Sequence, residues 1–285
     1  MSKTSQKLKA LEQTPPWEWP EHAGAILLGA LRDRGASEDD RVLAAELAGE
    51  SNAIDDALAK ALAAVVRGAD EPDELRATAA IALGPTLELC DTEGFDEDDD
   101  MNDAPITERT FDEVRQMLRA TFDDTSTPKL VRRRVLEGAV RAPQDWHREA
   151  IRAAYASDDP EWRLTAVFGM RFVQGFDEQI LASLESPDVE IEAEAIRAAG
   201  EWELKAAAPH VLRLLEDEDT EKDLLLAAIA AVATVSRTKA LELLPDFEDS
   251  DDPDIAEAAE EATHLAQIDW SGDLGDEDED DDEPF

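Results

Sequence analysis

One cysteine in 285 residues, Cys90, excludes an internal disulfide and leaves too few thiols for a cysteine-based zinc site. Bases are scarce. There are 27 Lys and Arg against 70 Asp and Glu, a formal net charge of −43. A field of that sign repels nucleic-acid phosphate and anionic membranes and favours basic partners or cations, so nucleic acid is not an expected partner. No apolar run reaches the length of a membrane span. The N-terminal stretch MSKTSQKLKALEQTPP has lysines but no apolar centre, unlike a secretory signal, so a cytoplasmic protein is expected. No Gly-x-Ser-x-Gly stretch and no Gly-rich phosphate loop occur, no Ser–His–Asp set is assignable, and no strand-like alternation stands out. No catalytic residue, metal ligand or cofactor is expected. Hydrophobic residues still make up 43 % of the chain, enough for a folded core.

What the chain does contain is a recurring helix. The segment SPDVEIEAEAIRAAGEW, residues 186–202, offers Ser186 as a cap, Pro187 for the first turn, and Asp188 and Glu190 at the positive end of the helix dipole. Ile191, Ala195 and Ala198 fall on one face, and Gly200 is placed to end the helix in a left-handed conformation. The same pattern, an apolar anchor with small residues four and seven positions later, begins at Leu75, Val131, Trp162, Leu224 and Ile255, and more weakly at Arg41. Successive anchors lie 34, 56, 31, 29, 33 and 31 residues apart. Between them lie further helical patterns such as AIDDALAKALAAVVRG and FDEVRQMLRATF.

A period near thirty residues with two helices per unit predicts an all-α fold, an α-α superhelix in which a right-handed solenoid of about seven helical hairpins buries one continuous core. LRATAAIALG, residues 75–84, resembles the VRxxAxxALG motif of HEAT-like repeats, of the bacterial type first named for phycobilisome lyases. The resemblance spans roughly Trp17 to Asp269. Tetratricopeptide repeats share the period, but their Trp-Leu-Gly-Tyr pattern is absent, as is the TPLH of ankyrin repeats. The expected organisation is a flexible segment over 1–16, the solenoid over 17–269 with an acidic loop insertion at 91–108, and an acidic, disordered tail over 270–285.

The resemblance also brings enzymes into view. Bilin lyases share the repeat, and deoxyhypusine hydroxylases use His-Glu pairs on such repeats to bind two irons. His22, His147, His210 and His264 are none of them followed by Glu, so the resemblance implies the scaffold and not the di-iron site. An EF-hand register begun at Asp96 puts Met101 where Gly is needed and Thr107 where Glu is needed, and so fails.

Charge and aromatics are unevenly spread. Residues 109–171 carry 12 Lys and Arg and 10 Asp and Glu, a balance of +2, and the remainder of the chain balances at −45. Trp146, Tyr155, Trp162, Phe168, Phe172 and Phe176 cluster in the same region. Arg76, Arg132 and Arg163 each follow a repeat anchor and read as a structural ladder, and Trp162, an anchor itself, reads as core. Arg133, Arg134, Arg141, Trp146, Arg148, Arg152, Tyr155 and Arg171 remain as candidates for a protein-binding face, since Trp, Tyr and Arg dominate interface hot spots. Arg133 and Arg134 are expected to point away from the helix interface. The expected role is a non-catalytic scaffold or adaptor for another protein, with the acidic tail as a further, intramolecular occupant. The alternative is an enzyme built on the same platform.

Overall fold

The computed structural model describes residues 2–50, 53–95 and 104–268. Every regular element among them is helical. The chain divides into two compact units, residues 1–175 and 176–285.

The first unit opens with α1 (Lys3–Glu12), followed by four hairpins: α2 (Ala23–Arg32) with α3 (Glu38–Gly49), α4 (Asp56–Arg67) with α5 (Asp73–Ala82), α7 (Glu108–Asp123) with α8 (Lys129–Ala139), and α9 (Asp145–Tyr155) with α10 (Pro160–Met170). A further helix, α6 (Gly84–Glu93), runs on from α5. The second unit holds three hairpins: α11 (Asp177–Ser183) with α12 (Val189–Glu201), α13 (Ala208–Glu216) with α14 (Lys222–Val235), and α15 (Arg237–Glu248) with α16 (Pro253–Gln267). The described residues therefore form seven hairpins, and the second helix of each is the one that carries the repeat anchor.

These anchor helices form a layer of their own. In the first unit α3 packs on α5, α5 on α8 and α8 on α10; in the second, α12 packs on α14 and α14 on α16. The small residues four and seven positions after the anchor make this possible. Ala79 and Ala82, Ala195 and Ala198, Ala228 and Ala231, and Ala259 and Ala262 are all buried, with Leu75, Ile191 and Leu224 beneath them. Short side chains let the backbones approach closely. At its tightest the approach excludes any side chain. A Cβ on Gly49 would lie 2.8 Å from Ala82 Cα, and one on Gly138 would lie 2.3 Å from the Ala80 carbonyl oxygen.

Five expectations about the fold change. Residues 1–16 are not a flexible segment throughout, because Leu8 and Leu11 of α1 are buried against the first hairpin. The weak repeat at Arg41 is one residue out of register: Arg41 occupies the position of Arg76 and Arg132, so Ala44 and Leu47 take the small-residue places, and both are buried. Asp188, not Ser186, caps α12, its carboxylate accepting from the Glu190 amide at 3.1 Å, and Ser186 instead accepts from the Asp188 amide. Gly200 lies inside α12 rather than ending it. A Cβ there would sit 3.1 Å from Ala231 Cα, so the glycine serves helix contact, and the left-handed residue that follows the helix is Glu203 at φ 48°.

The acidic insertion is shorter than the expected 91–108. Helix α6 occupies its start, Phe95 packs on Phe111 at 5.2 Å, and Ile106 is buried just ahead of α7. Residues 96–103 and the tail beyond Ile268 lie outside the described residues.

Candidate protein-interaction surface

The ladder is built from helix ends. The last carbonyls of an α-helix have no partner within the helix. Arg41 Nε donates to the Leu31 carbonyl (3.2 Å), Arg76 Nε to that of Val66 (3.0 Å) and Arg132 Nε to that of Phe122 (2.9 Å). Each carbonyl belongs to the penultimate residue of the first helix in the hairpin, ten positions behind the arginine. The positive group also meets the negative end of the helix dipole. Arg41 continues to Glu71, its Nη1 2.5 Å from Oε2, and this hydrogen bond holds the Glu71 carboxyl below its usual range. Arg163 departs from the pattern: it is exposed and its Nη2 reaches the Ser157 carbonyl, six positions back, at 3.3 Å.

A second device occurs twice, each time between residues thirty apart. Lys129, two positions before its anchor, meets Asp159 at 2.9 Å and also Glu161, and Lys222 meets Asp252 at 2.7 Å and Asp254 at 2.6 Å. In both cases the lysine of one hairpin clamps the acid that caps the next.

The eight candidate arginines and aromatics do not form one face. Arg133, expected outside, is buried at 4 % exposure. Its Nε donates to Thr165 Oγ1 (3.0 Å), its Nη1 meets Glu161 (2.9 Å), and Thr165 donates in turn to the buried carboxylate of Glu137 (2.5 Å). The reason is its place on α8, facing α10. Arg134 is half-exposed and pairs with Glu137 at 2.5 Å. Trp146 packs on Phe122 at 5.2 Å and on His147 at 4.0 Å, and Trp162, half-buried rather than core, meets the edge of Phe122 at 6.3 Å with the Arg132 guanidinium over its ring. These aromatics serve the contacts between hairpins. Arg148 and Arg152 lie exposed on α9, where Arg148 donates to the Gln174 carbonyl at 3.3 Å, and Tyr155 is half-buried at the helix end.

Arg141 and Arg171 do converge. The Arg141 guanidinium lies 5.7 Å and 5.1 Å from the Phe168 and Phe172 rings, Arg171 lies 5.5 Å from Phe172, and Arg141 pairs with Glu88 at 2.6 Å. Beside them a groove of about 560 Å³ crosses α3, α5 and α8. Ile81, Ala82 and Leu130 line its middle, Arg134 and Arg141 one end, and Glu46, Glu50 and Glu74 the other. Partial burial and the neighbouring carboxylates of Glu50, Glu12 and Glu74 push the Glu46 carboxyl up. The sequence reading passed over this acidic end. The signal was there: none of the three glutamates has a base three or four positions away, so none has a partner on its own helix.

His147 is fully buried at the start of α9, where its Nδ1 accepts from the Gln144 amide at 3.0 Å. Burial, with Arg115 and Arg119 nearby, lowers its pKa to about 3. His210 lies between Glu192 (2.9 Å) and Glu185 (3.3 Å), with Arg213 Nη2 2.9 Å from its Nδ1. No group of three His, Cys, Asp or Glu among the described residues is placed to hold a metal ion, and no described helix is long and apolar enough to cross a membrane.

Stacked hairpins, four in the first unit and three in the second, each unit with its own anchor layer, define an all-α, helical-repeat protein, and the arrangement agrees with a HEAT-like repeat. No protein-family model matches the chain, that of the phycobilisome-lyase type included, and no curated protein sequence matches it. Similar solved structures include human deoxyhypusine hydroxylase in complex with glycerol (17 % identity, TM-score 0.41, covering 92 % of this chain and 96 % of that one). They also include an engineered protein (17 %, TM-score 0.42, 93 % and 79 %) and a structure of Kap95p binding to RanGDP (15 %, TM-score 0.41, 92 % and 43 %). These likenesses carry nothing about activity.

Proposed function

We propose that the protein is a non-catalytic helical-repeat scaffold that holds a basic, partly apolar segment of a partner protein in the groove across α3, α5 and α8. The observation that carries the reading is the groove itself: an apolar middle with three glutamates at one end that have no ion-pair partner among the described residues. A lysine or arginine bound there offsets the partial burial and the repulsion that together push Glu46 up, and its apolar neighbours cover Ile81 and Leu130. At the other end Arg134 and Arg141 already hold carboxylates, which gives the groove a polarity and its occupant a direction. The net charge of −43 steers basic partners toward the molecule. The bilin-lyase and hydroxylase alternatives have no comparable arrangement of residues in their favour.

The test is a comparison of partners captured by the wild-type chain and by a Glu46→Lys/Glu50→Lys/Glu74→Lys variant, scored by mass spectrometry with crosslinks mapped to residues. Partners crosslinked at the groove should be lost from the variant and should present Lys- and Arg-rich segments there. Glu260→Lys/Glu261→Lys on α16 is the control and should lose none of them. Equal capture by the groove variant would end the proposal.

A further inference from the structure

A second groove of the first unit, with a volume of about 810 Å³, lies in the other layer, between α4 and α7. Its charge differs from that of the whole molecule, since its three bases, Lys60, Arg67 and Arg76, balance its three acids, Asp73, Glu113 and Asp124. Lys60 and Arg67 line it, both exposed, and neither has an ion-pair partner among the described residues; Lys60 acts on Asp56 only at longer range. In a chain with 70 acids and 27 bases, two unpaired cations in one groove stand out. Two of the acids that line the groove are ion-paired, and the third is hydrogen-bonded. Asp73 faces Arg76 at 3.8 Å, Glu113 binds Arg109 at 2.9 Å, and Asp124 accepts from the hydroxyl and the amide of Ser126 at 2.7 and 2.9 Å.

The two cations are seven residues apart on α4, so they lie on one face about 10.5 Å apart along the helix axis. Ala63 lies between them, and Val114 and Met117 of α7 line the groove opposite. We infer that this groove is a second docking site, distinct from the one proposed above, for an acidic partner segment that presents two carboxylates about two helical turns apart with an apolar side chain between them. Lys60 and Arg67 take the carboxylates, and the apolar side chain rests on the groove floor, where Val114 and Met117 are themselves buried. The −43 charge does not forbid this. At physiological ionic strength screening acts over about 8 Å, so the acids of distant helices are largely hidden, and the two cations in contact with the segment are not. With a basic segment on the anchor layer and an acidic one here, the first unit could join two partners of opposite charge.

The test uses the full chain and a fluorescein-labelled helical peptide with Glu at two positions seven apart and Leu between them on the same face. Saturable binding by fluorescence anisotropy is expected. A Lys60→Glu/Arg67→Glu variant, with its helical circular dichroism unchanged, should bind at least tenfold more weakly. The Lys60→Arg/Arg67→Lys variant should bind as the wild type does. The same peptide with both Glu replaced by Gln should lose the affinity as well. Absence of saturable binding, equal binding by the charge-reversed variant, or full displacement by excess inorganic phosphate would each overturn the inference, the last by reducing the groove to a plain anion site. Glu46→Lys/Glu50→Lys/Glu74→Lys should leave this peptide's binding unchanged, so the two sites succeed or fail separately.

Discussion

Arg76 Nε lies 3.0 Å from the carbonyl oxygen of Val66, and the arginine is 6 % exposed. The contact closes a hairpin: α5 supplies the donor that the end of α4 lacks. A charge-assisted hydrogen bond of this kind contributes about 1.5–3 kcal/mol. Arg76→Met keeps the apolar stem and removes the donor, and should destabilise the first unit by about that amount in urea unfolding. Arg163→Met, at the exposed and irregular member of the ladder, should change stability by less than about 0.5 kcal/mol. Equal effects at the two positions would show that the ladder carries no stability of its own.

Close approach of the anchor helices gives a prediction in glycine. Gly138→Ala drives a Cβ to 2.3 Å from the Ala80 carbonyl oxygen, backbone that cannot rotate away, and should destabilise by about 1–3 kcal/mol through overpacking. Gly29 is exposed on α2 with nothing within 4 Å of its added Cβ. There the same substitution should stabilise by about 0.5–1 kcal/mol, because alanine loses less backbone entropy in a helix. Thermal melts of the two variants should move in opposite directions, and two shifts of the same sign would contradict the packing described.

The repeat was legible because it is written in positions that packing dictates. Ala195 and Ala198 are small because α12 and α14 touch, and the same constraint writes Ala228 and Ala231. Gly200 was misread for a related reason. A glycine at the end of an apolar run serves equally as a helix terminator or as a contact point, and only the neighbour Ala231 separates the two. Arg133 was misread because the repeat period places a residue on a helix but not against a particular neighbour. Its partners Thr165 and Glu161 are about thirty residues away. The unpaired glutamates of the groove were legible but their assembly was not, for the same cause, since Glu46, Glu74 and Arg134 come from three hairpins.

His147 makes stability depend on pH. Its pKa is about 3 in the folded chain and about 6.5 when unfolded, so between those values the unfolded state binds the extra proton. Its contribution is intact above about pH 6.5 and is lost as the pH falls toward 3, at about 1.4 kcal/mol per unit. His147→Gln keeps an acceptor for the Gln144 amide, the usual third-position partner of a capping box, and removes the titration. Between pH 7 and pH 5 the wild type should lose about 2 kcal/mol more than this variant. Parallel losses in the two proteins would mean that His147 takes up its proton without unfolding.

Arg133 supplies the sharpest contrast with an exposed neighbour. Its guanidinium is enclosed by Thr165, Glu161 and Glu137, and Glu137 is itself only 4 % exposed. Arg133→Glu removes a buried cation and sets a new carboxylate beside two existing ones in a place water does not reach. Losing one partner of a buried pair costs about 3–5 kcal/mol, and the added repulsion has the same sign. The variant should therefore melt well below the wild type, and a joint reversal of Arg133 and Arg134 should lose binding by losing structure. Arg163→Glu, two residues from both Glu161 and Thr165 but exposed, should melt within about 0.5 kcal/mol of the wild type. Circular dichroism melts of the three proteins decide the matter. If Arg133→Glu melts with Arg163→Glu, then α8 does not present Arg133 to α10, and its place is the outer surface after all.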